Sequence, residues 1–360
     1  MSYSGFENEI ICSICHRKQA TIESSVYTCN EESIHSNGFY TEKDEKIKIC
    51  NFCYHKYYII IDSCYLREGK NNMRYHNSYP QSHLDWLQDT GKTLTTQDGI
   101  PIKVFELNHT NDESILSNWA KHFRNHYCLD EDIDTLRDGT GKSRTKYLND
   151  LVFPDTSTHS GPATRSGDFG EILVSDYVEY LLGYWVPRTR FSERQNRSNP
   201  TQGVDVLGLK MLDPHNKSSR DELLIYEVKG KLTSNAKDES QKRLEIAIKD
   251  SAKDFNVRKA ESLNALKRYY MVRQQRDKIN IIQRFQNPID NPYIELSGAS
   301  AIILTNRLDD SYISQIHTSV CGKDSNEPHP NQSNLQLIII SGDNLMNLVH
   351  HLYERGADEA

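Results

Sequence analysis

The chain has 360 residues, 36% of them hydrophobic and 26% charged, and carries a net charge of -7 at pH 7. No run of about 18 apolar residues occurs, which excludes a helical membrane span. The acidic balance excludes a general nucleic-acid coat, while a local basic patch still leaves room for an enzyme that acts on nucleic acid.

In chain order, the first 65 residues hold six of the eight cysteines. The opening stretch MSYSGFENEIICSICHRKQA lacks the basic start and apolar core of a signal peptide, so the expectation is a cytoplasmic protein. In that compartment paired cysteines more often mean metal than disulfides. Cys12 with Cys15 and Cys50 with Cys53 form two C-x-x-C pairs, together enough thiolates for a tetrahedral Zn²⁺ site. The 34 residues between Cys15 and Cys50 leave room for Cys29 or His35 to replace a ligand, and His16, His55 and Cys64 offer a second site. Four thiolates leave no position open for water, so such a zinc is structural and serves to fold a domain too small for its own core. Buried or redox-active thiols are the alternative. Residues 1–65 are therefore expected to form a small zinc-binding module, and 66–99 a polar linker with a short helix.

From residue 100 onward the texture changes. IPIKVFELNH reads as a strand, and DESILSNWAKHFRNHYC as a helix opened by Asp112 and Glu113. His122 and His126 lie four apart on that helix, with no third metal ligand evident in the sequence. RDGTGKS has Leu136 where a P-loop needs glycine, so it predicts no nucleotide site. GDFGEILVSDYVEYLLG is a second helix, with Glu171 in its first turn on the stripe continued by Val174, Val178 and Leu181. A strand is expected around Tyr184 to Phe191. VPRTRFSERQNRSNP then gathers Arg188, Arg190, Arg194 and Arg197, either a solvated loop or a set of contacts to DNA phosphates.

The next two stretches carry the chemistry. GVDVLG sets Asp205 among small and apolar neighbours. LIYEVKGKLT is a strand with Leu224, Tyr226 and Val228 on one face and Ile225, Glu227 and Lys229 on the other. Charges in a core strand are costly unless paired or bound to metal. Asp205, Glu227 and the helical Glu171 suit a hard divalent ion, Mg²⁺ or Mn²⁺, with the carbonyl of Val228 as a further oxygen ligand. Lys229 would neutralise excess charge and orient or deprotonate an attacking water, and Gly230 would let a nucleic-acid backbone approach. A structural salt bridge on a half-exposed strand is the plainer alternative. Beyond these strands, Leu244, Ile248, Ala252 and Phe255 mark a long helical region. SGASAIILTN and NLQLIIISGD read as buried strands, and NLMNLVHHLYERG as a closing helix. The order predicts an α/β domain over 100–360, a central mixed sheet flanked by helices.

GVDVLG, YEVKGK and GDFGEIL together resemble the PD-(D/E)xK nuclease superfamily. More narrowly, WAKHFRNHYC, RSGDFGEILVSDYVEYLLGYWVPRTRF and AIKDSAKDF resemble the HamA family of Hachiman-type anti-phage defence systems. The resemblance implies a restriction-endonuclease-like fold and a Mg²⁺-dependent deoxyribonuclease working beside a HamB-like helicase partner. It assigns Asp205, Glu227 and Lys229 to the catalytic core and Glu171 as the helical acid. Val204 stands where the superfamily often has proline. Lys249, Lys253 and Gln241 are candidates for a basic or amide residue that the superfamily often adds from the following helix; the sequence does not choose among them, and surface solvation is the plainer reading of each. The rival from another class is a non-catalytic scaffold that binds DNA or a helicase.

Overall fold

The computed structural model describes residues 22–25, 46–49 and 82–360, the last range without 158–159, 200–202, 213–216, 234–239, 254–257 and 322–325. Cys12, Cys15, Cys50 and Cys53 lie outside the described residues, as does the zinc module expected from them. Within 1–65 two short strands, β1 (Ile22–Ser25) and β2 (Lys46–Ile49), pair antiparallel.

The remainder is built on one six-stranded mixed sheet. Its strands are β3 (Leu87–Thr95), β4 (Pro101–Leu107), β5 (Val206–Lys210), β6 (Glu222–Lys231), β7 (Ile294–Leu304) and, beyond a small β8–β9 ladder (Val320–Cys321 with Asn326–Glu327), β10 (Leu335–Gly342). The order across the sheet is β3-β4-β10-β7-β6-β5. β4, β10, β7 and β6 run parallel, and β3 and β5 close the two edges antiparallel. Parallel strands need both faces covered, and both are. On one face α1 (Glu113–Asn125), α2 (Gly161–Asp176) and α6 (Leu345–Asp358) pack on Leu224, Tyr226, Val228, Ile302, Ile338 and Ile340. On the other, α3 (Arg243–Lys253) covers Ala299, Ala301 and Ile339. There too α4 (Lys259–Val272) and α5 (Arg276–Gln286) cover Leu207, Leu223 and Ile225. The alternation expected along Leu224 to Lys229 holds.

Three expectations differ from the structure. The stretch expected as a linker contains β3, whose side chains are exposed along almost its whole length; an edge strand with a solvated face leaves no apolar alternation to read. The second helix begins at Gly161, with Pro162 in its first turn, so Glu171 sits in its third turn rather than its first. Tyr184 to Phe191 forms no strand: Trp185 makes one bridge to Leu209, after which Pro187 has no N–H to extend a ladder.

Two glycines set the approach to the site. Gly203 takes φ +95, a left-handed conformation, and a Cβ there would lie 2.7 Å from Ser262 Oγ; that hydroxyl accepts the Val204 N–H at 3.1 Å. Gly170 lets α2 close on the sheet, since its Cβ would already be 3.1 Å from Ile302. These contacts bear on Glu171, which adjoins Gly170, and on Asp205, two residues after Gly203.

Candidate active site

β5 and β6 pair with Val206 opposite Tyr226. Asp205 stands immediately before β5, and its carboxylate reaches the β6 backbone at Val228, beside Glu227. Asp205, Glu227, Lys229 and Glu171 all line one cleft of ≈ 1210 Å³, together with Arg190 and Asp250. The four residues expected to carry the chemistry are thus brought to one place.

Each is held by a charged neighbour. Asp205 Oδ2 accepts the Val228 N–H at 3.0 Å, and Oδ1 accepts from Arg190 Nη2 at 2.8 Å. Arg190 Nε lies 2.7 Å from Glu171 Oε2. Glu227 is 2% exposed and is paired with Lys229, whose Nζ also lies 3.0 Å from Asp250 Oδ2. Asp250, on α3, and Arg190 were not foreseen from sequence as partners in the cleft. Neither carries a local signal, because a carboxylate on the polar side of an amphipathic helix and an arginine in a loop look like solvated surface. Lys249 and Lys253 pair with Glu245 and Asp250 along their own helix. Gln241 lies in a short helical turn.

The electrostatics separate the roles. Burial pushes the Glu171 carboxyl up to about 8; the Arg190 charge opposes this, while Asp205 and Asp168 add to it. Burial alone would lower the Lys229 ammonium, but the Glu227 charge outweighs it and holds Lys229 above its ordinary range. Lys229 is therefore a standing cation at neutral pH, suited to orienting and neutralising rather than to removing a proton. Asp250 is held below the usual carboxylate range: burial opposes this, and hydrogen bonds from Lys253 and Lys229 prevail.

The four arginines do not form a common basic face. The loop runs back along α2 and the wide turn that follows it, setting each of three arginines against acids of that helical stretch. Arg194 clamps Asp168 at 2.6 and 2.7 Å. Arg190 bridges Glu171 and Asp205. Arg188 is enclosed between Asp176, at 2.7 Å, and Glu179. Arg197 pairs with Asp155 at 3.1 Å. Arg188, with a side chain 1% exposed, is unavailable to a phosphate. The spacing of acids at 168, 171, 176 and 179 against arginines at 194, 190 and 188 is the sequence signal that would have revealed this ladder.

Around Arg188 lies a buried cluster. His122 and His126, four apart on α1, meet Asp176 as a third group, which the sequence did not suggest. Among the described residues this is the one set of three potential ligands whose atoms lie within 4.8 Å of one another; Glu171, Asp205 and Glu227 do not close to that distance as a set. The Arg188 guanidinium stands among them, 2.5 Å from His126 Nε2 and 3.3 Å from His122 Nε2, so it supplies the positive charge there. Burial lowers both imidazoles; His126 Nε2 accepts from Arg188, while His122 Nε2, 2.8 Å from Asp176 Oδ1, donates to that carboxylate.

The cleft offers the carboxylate oxygens of Glu171, Asp205, Glu227 and Asp250, hard donors that suit Mg²⁺ or Mn²⁺, with Met346 and His350 elsewhere in its lining. Among the described residues no helix is long and apolar enough to cross a membrane. Compared with known proteins, residues 81–355 match the family model described as HamA. No curated protein matches the chain.

Proposed function

We propose that this chain, which belongs to the HamA family, is the metal-dependent DNA nuclease of a Hachiman-type anti-phage defence system. The reading makes it a member of the PD-(D/E)xK superfamily that hydrolyses phosphodiester bonds and is regulated by a HamB-like helicase. The observation that carries it is the meeting of Asp205, Glu227 and Lys229 with Glu171 in one cleft, on paired strands and the helix against them.

Asp205, Glu227 and the carbonyl of Val228 would hold a Mg²⁺ or Mn²⁺ ion, with Glu171 behind them. When bound, such an ion polarises the phosphodiester and lowers the pKa of a water. The chain's own residues do the rest. Lys229 Nζ keeps Glu227 oriented and presents a fixed positive charge where negative charge builds up on the phosphate. Asp250 fixes Lys229 from α3. Lys231, Arg243 and Arg258 line the same cleft and give phosphates of a nucleic-acid backbone cationic contacts. These replace the arginine patch as the main DNA-facing charge.

The test is cleavage of plasmid DNA with Mg²⁺ by wild type, Asp205→Ala and Lys229→Ala, each with and without the co-purified helicase. Each substitution is expected to lower the rate at least about a hundredfold, roughly 2.7 kcal/mol in the barrier, in protein that remains folded by circular dichroism. An unchanged rate in Asp205→Ala would sink the assignment. The scaffold reading draws on one observation, that Arg190 and Lys229 already pair the acids internally; DNA binding with no turnover under any condition would favour it.

A further inference from the structure

Two acids of the proposed metal site, the ligand Asp205 and the Glu171 behind it, are already bridged by a cation of the chain itself. Arg190 sets Nε 2.7 Å from Glu171 and Nη2 2.8 Å from Asp205, and its Nη1 donates to the Val204 carbonyl. A divalent ion on those carboxylates would contend with the guanidinium for the same oxygens, and two cations repel strongly at contact distance in a half-buried site. Since Glu171, Asp205 and Glu227 are not gathered within 4.8 Å of one another, loading an ion requires the acids to close in and the guanidinium to withdraw.

The surroundings allow that movement in the side chain alone. Two residues before Arg190, Arg188 is enclosed by Asp176 and Glu179. Four residues after it, Arg194 is clamped on Asp168. The backbone is pinned on both sides, while the Arg190 side chain has its own rotatable bonds. Arg190 and Asp205 also line a second cleft, of ≈ 840 Å³, bordered by Phe191, Arg194, Arg268 and Arg273. That cleft gives the guanidinium a place to go, and its Arg268, with Arg273 paired to the exposed Glu193 at its border, offers a polyanion's phosphates cationic contacts.

We propose that Arg190 is a gate on the metal site: it occupies Glu171 and Asp205 until a backbone phosphate of the nucleic acid draws the guanidinium toward the second cleft, so that metal and substrate load together. The proposal rests on the reading of these acids as a metal site. Linkage then requires that nucleic acid raise metal affinity by the factor by which metal raises nucleic-acid affinity. A closed state favoured tenfold weakens the apparent metal affinity of the free protein about tenfold.

The experiment is a titration of the full chain with Mn²⁺, reading free Mn²⁺ by electron paramagnetic resonance, with and without a short phosphorothioate duplex. Asp205→Ala with the same duplex gives the background from DNA-bound ion. Arg190→Met is expected to bind Mn²⁺ at least about tenfold more tightly than wild type. The duplex is expected to tighten wild type by a similar factor and Arg190→Met hardly at all. Arg190→Lys, which keeps the charge but not the two-pronged contact, is expected to fall between them and carries the test if Arg190→Met does not fold. Equal Mn²⁺ affinity in wild type and both Arg190 variants, abolished by Asp205→Ala, would overturn the gate and leave the metal site standing. No Asp205-dependent Mn²⁺ binding in any variant would overturn the metal site and the gate with it.

Discussion

Arg188 and Arg190 stand two residues apart in one loop, and each bridges two carboxylates. Arg188 joins Asp176 and Glu179 where the three side chains are 1%, 0% and 0% exposed. Arg190 joins Glu171 and Asp205 where they are 16%, 13% and 11% exposed. The contact chemistry is alike, but the consequences differ. In the enclosed cluster no ion from solvent can replace the guanidinium, so the arrangement is structural. In the cleft the same grouping borders solvent, the access that the proposed gate needs for its cation to exchange. The difference between an internal brace and a reactive site is thus set by access rather than by residue type.

The largest effect should come from removing the enclosed cation. Arg188→Met leaves Asp176 and Glu179 buried together, and breaking a buried pair costs about 3–5 kcal/mol. A urea melt is expected to show that loss; an unchanged midpoint would mean the cluster does not brace the fold. A middle-sized effect concerns pH in the presence of a chelator. The folded-state pKa of Glu171 is raised to about 8 above an ordinary value near 4.3. Its contribution to stability is therefore full below about pH 4 and is lost as pH rises through about 8. Asp176 has the opposite sign. Burial opposes its ionisation, but His122, Arg188 and His83 hold it well below the usual range, so its contribution is lost on acidification. Glu171→Gln is expected to flatten the alkaline fall by about 2–4 kcal/mol at pH 9 and to leave the acid limb alone; stability curves that keep their alkaline slope would contradict the buried placement of Glu171. The smallest effect is on folding in Arg190→Met, expected to fall below that of Arg188→Met, because Glu171 can take up a proton and Asp205 keeps the Val228 N–H. A loss as large as that of Arg188→Met would erase the contrast between the two sites.

The legible parts were those where a local period carries tertiary information. Glu227 and Lys229 stood out because a strand period of two set them in an otherwise apolar run, and the pairing of β5 with β6 then brought the Asp205 carboxylate to the Val228 N–H beside Glu227. The parallel strands β7 and β10 were plain as short apolar runs. What stayed hidden lacked such a period. β3 is polar because it closes an edge. The start of α2 at Gly161 and Pro162 looks like a loop, which displaced Glu171 by two turns. The partnership of Arg190 with Glu171 and Asp205 joins three separate segments. No window of sequence contains it, and the loop carrying Arg190 has neither helix nor strand spacing.

The order of strands in the sheet bears on when the molecule can form at all. β4 lies beside β10, and Ser341 Oγ donates to the Phe105 carbonyl across 236 residues of chain; Arg124 on α1 reaches the Gly356 carbonyl on α6 across 232. Closing such long loops must precede any gain from the contacts they bring. During synthesis α2, β5, β6 and α3, which carry the acids and lysine of the cleft, leave the ribosome before the strand that joins the two halves of the sheet. A chain stopped after Leu304 is expected to be open to protease across α2 and β6, and resistance there would refute this order of events. On the proposed reading, the cleft that cuts DNA is then assembled only once almost the whole polypeptide has been made, a delay written into the connectivity and independent of any inhibitor.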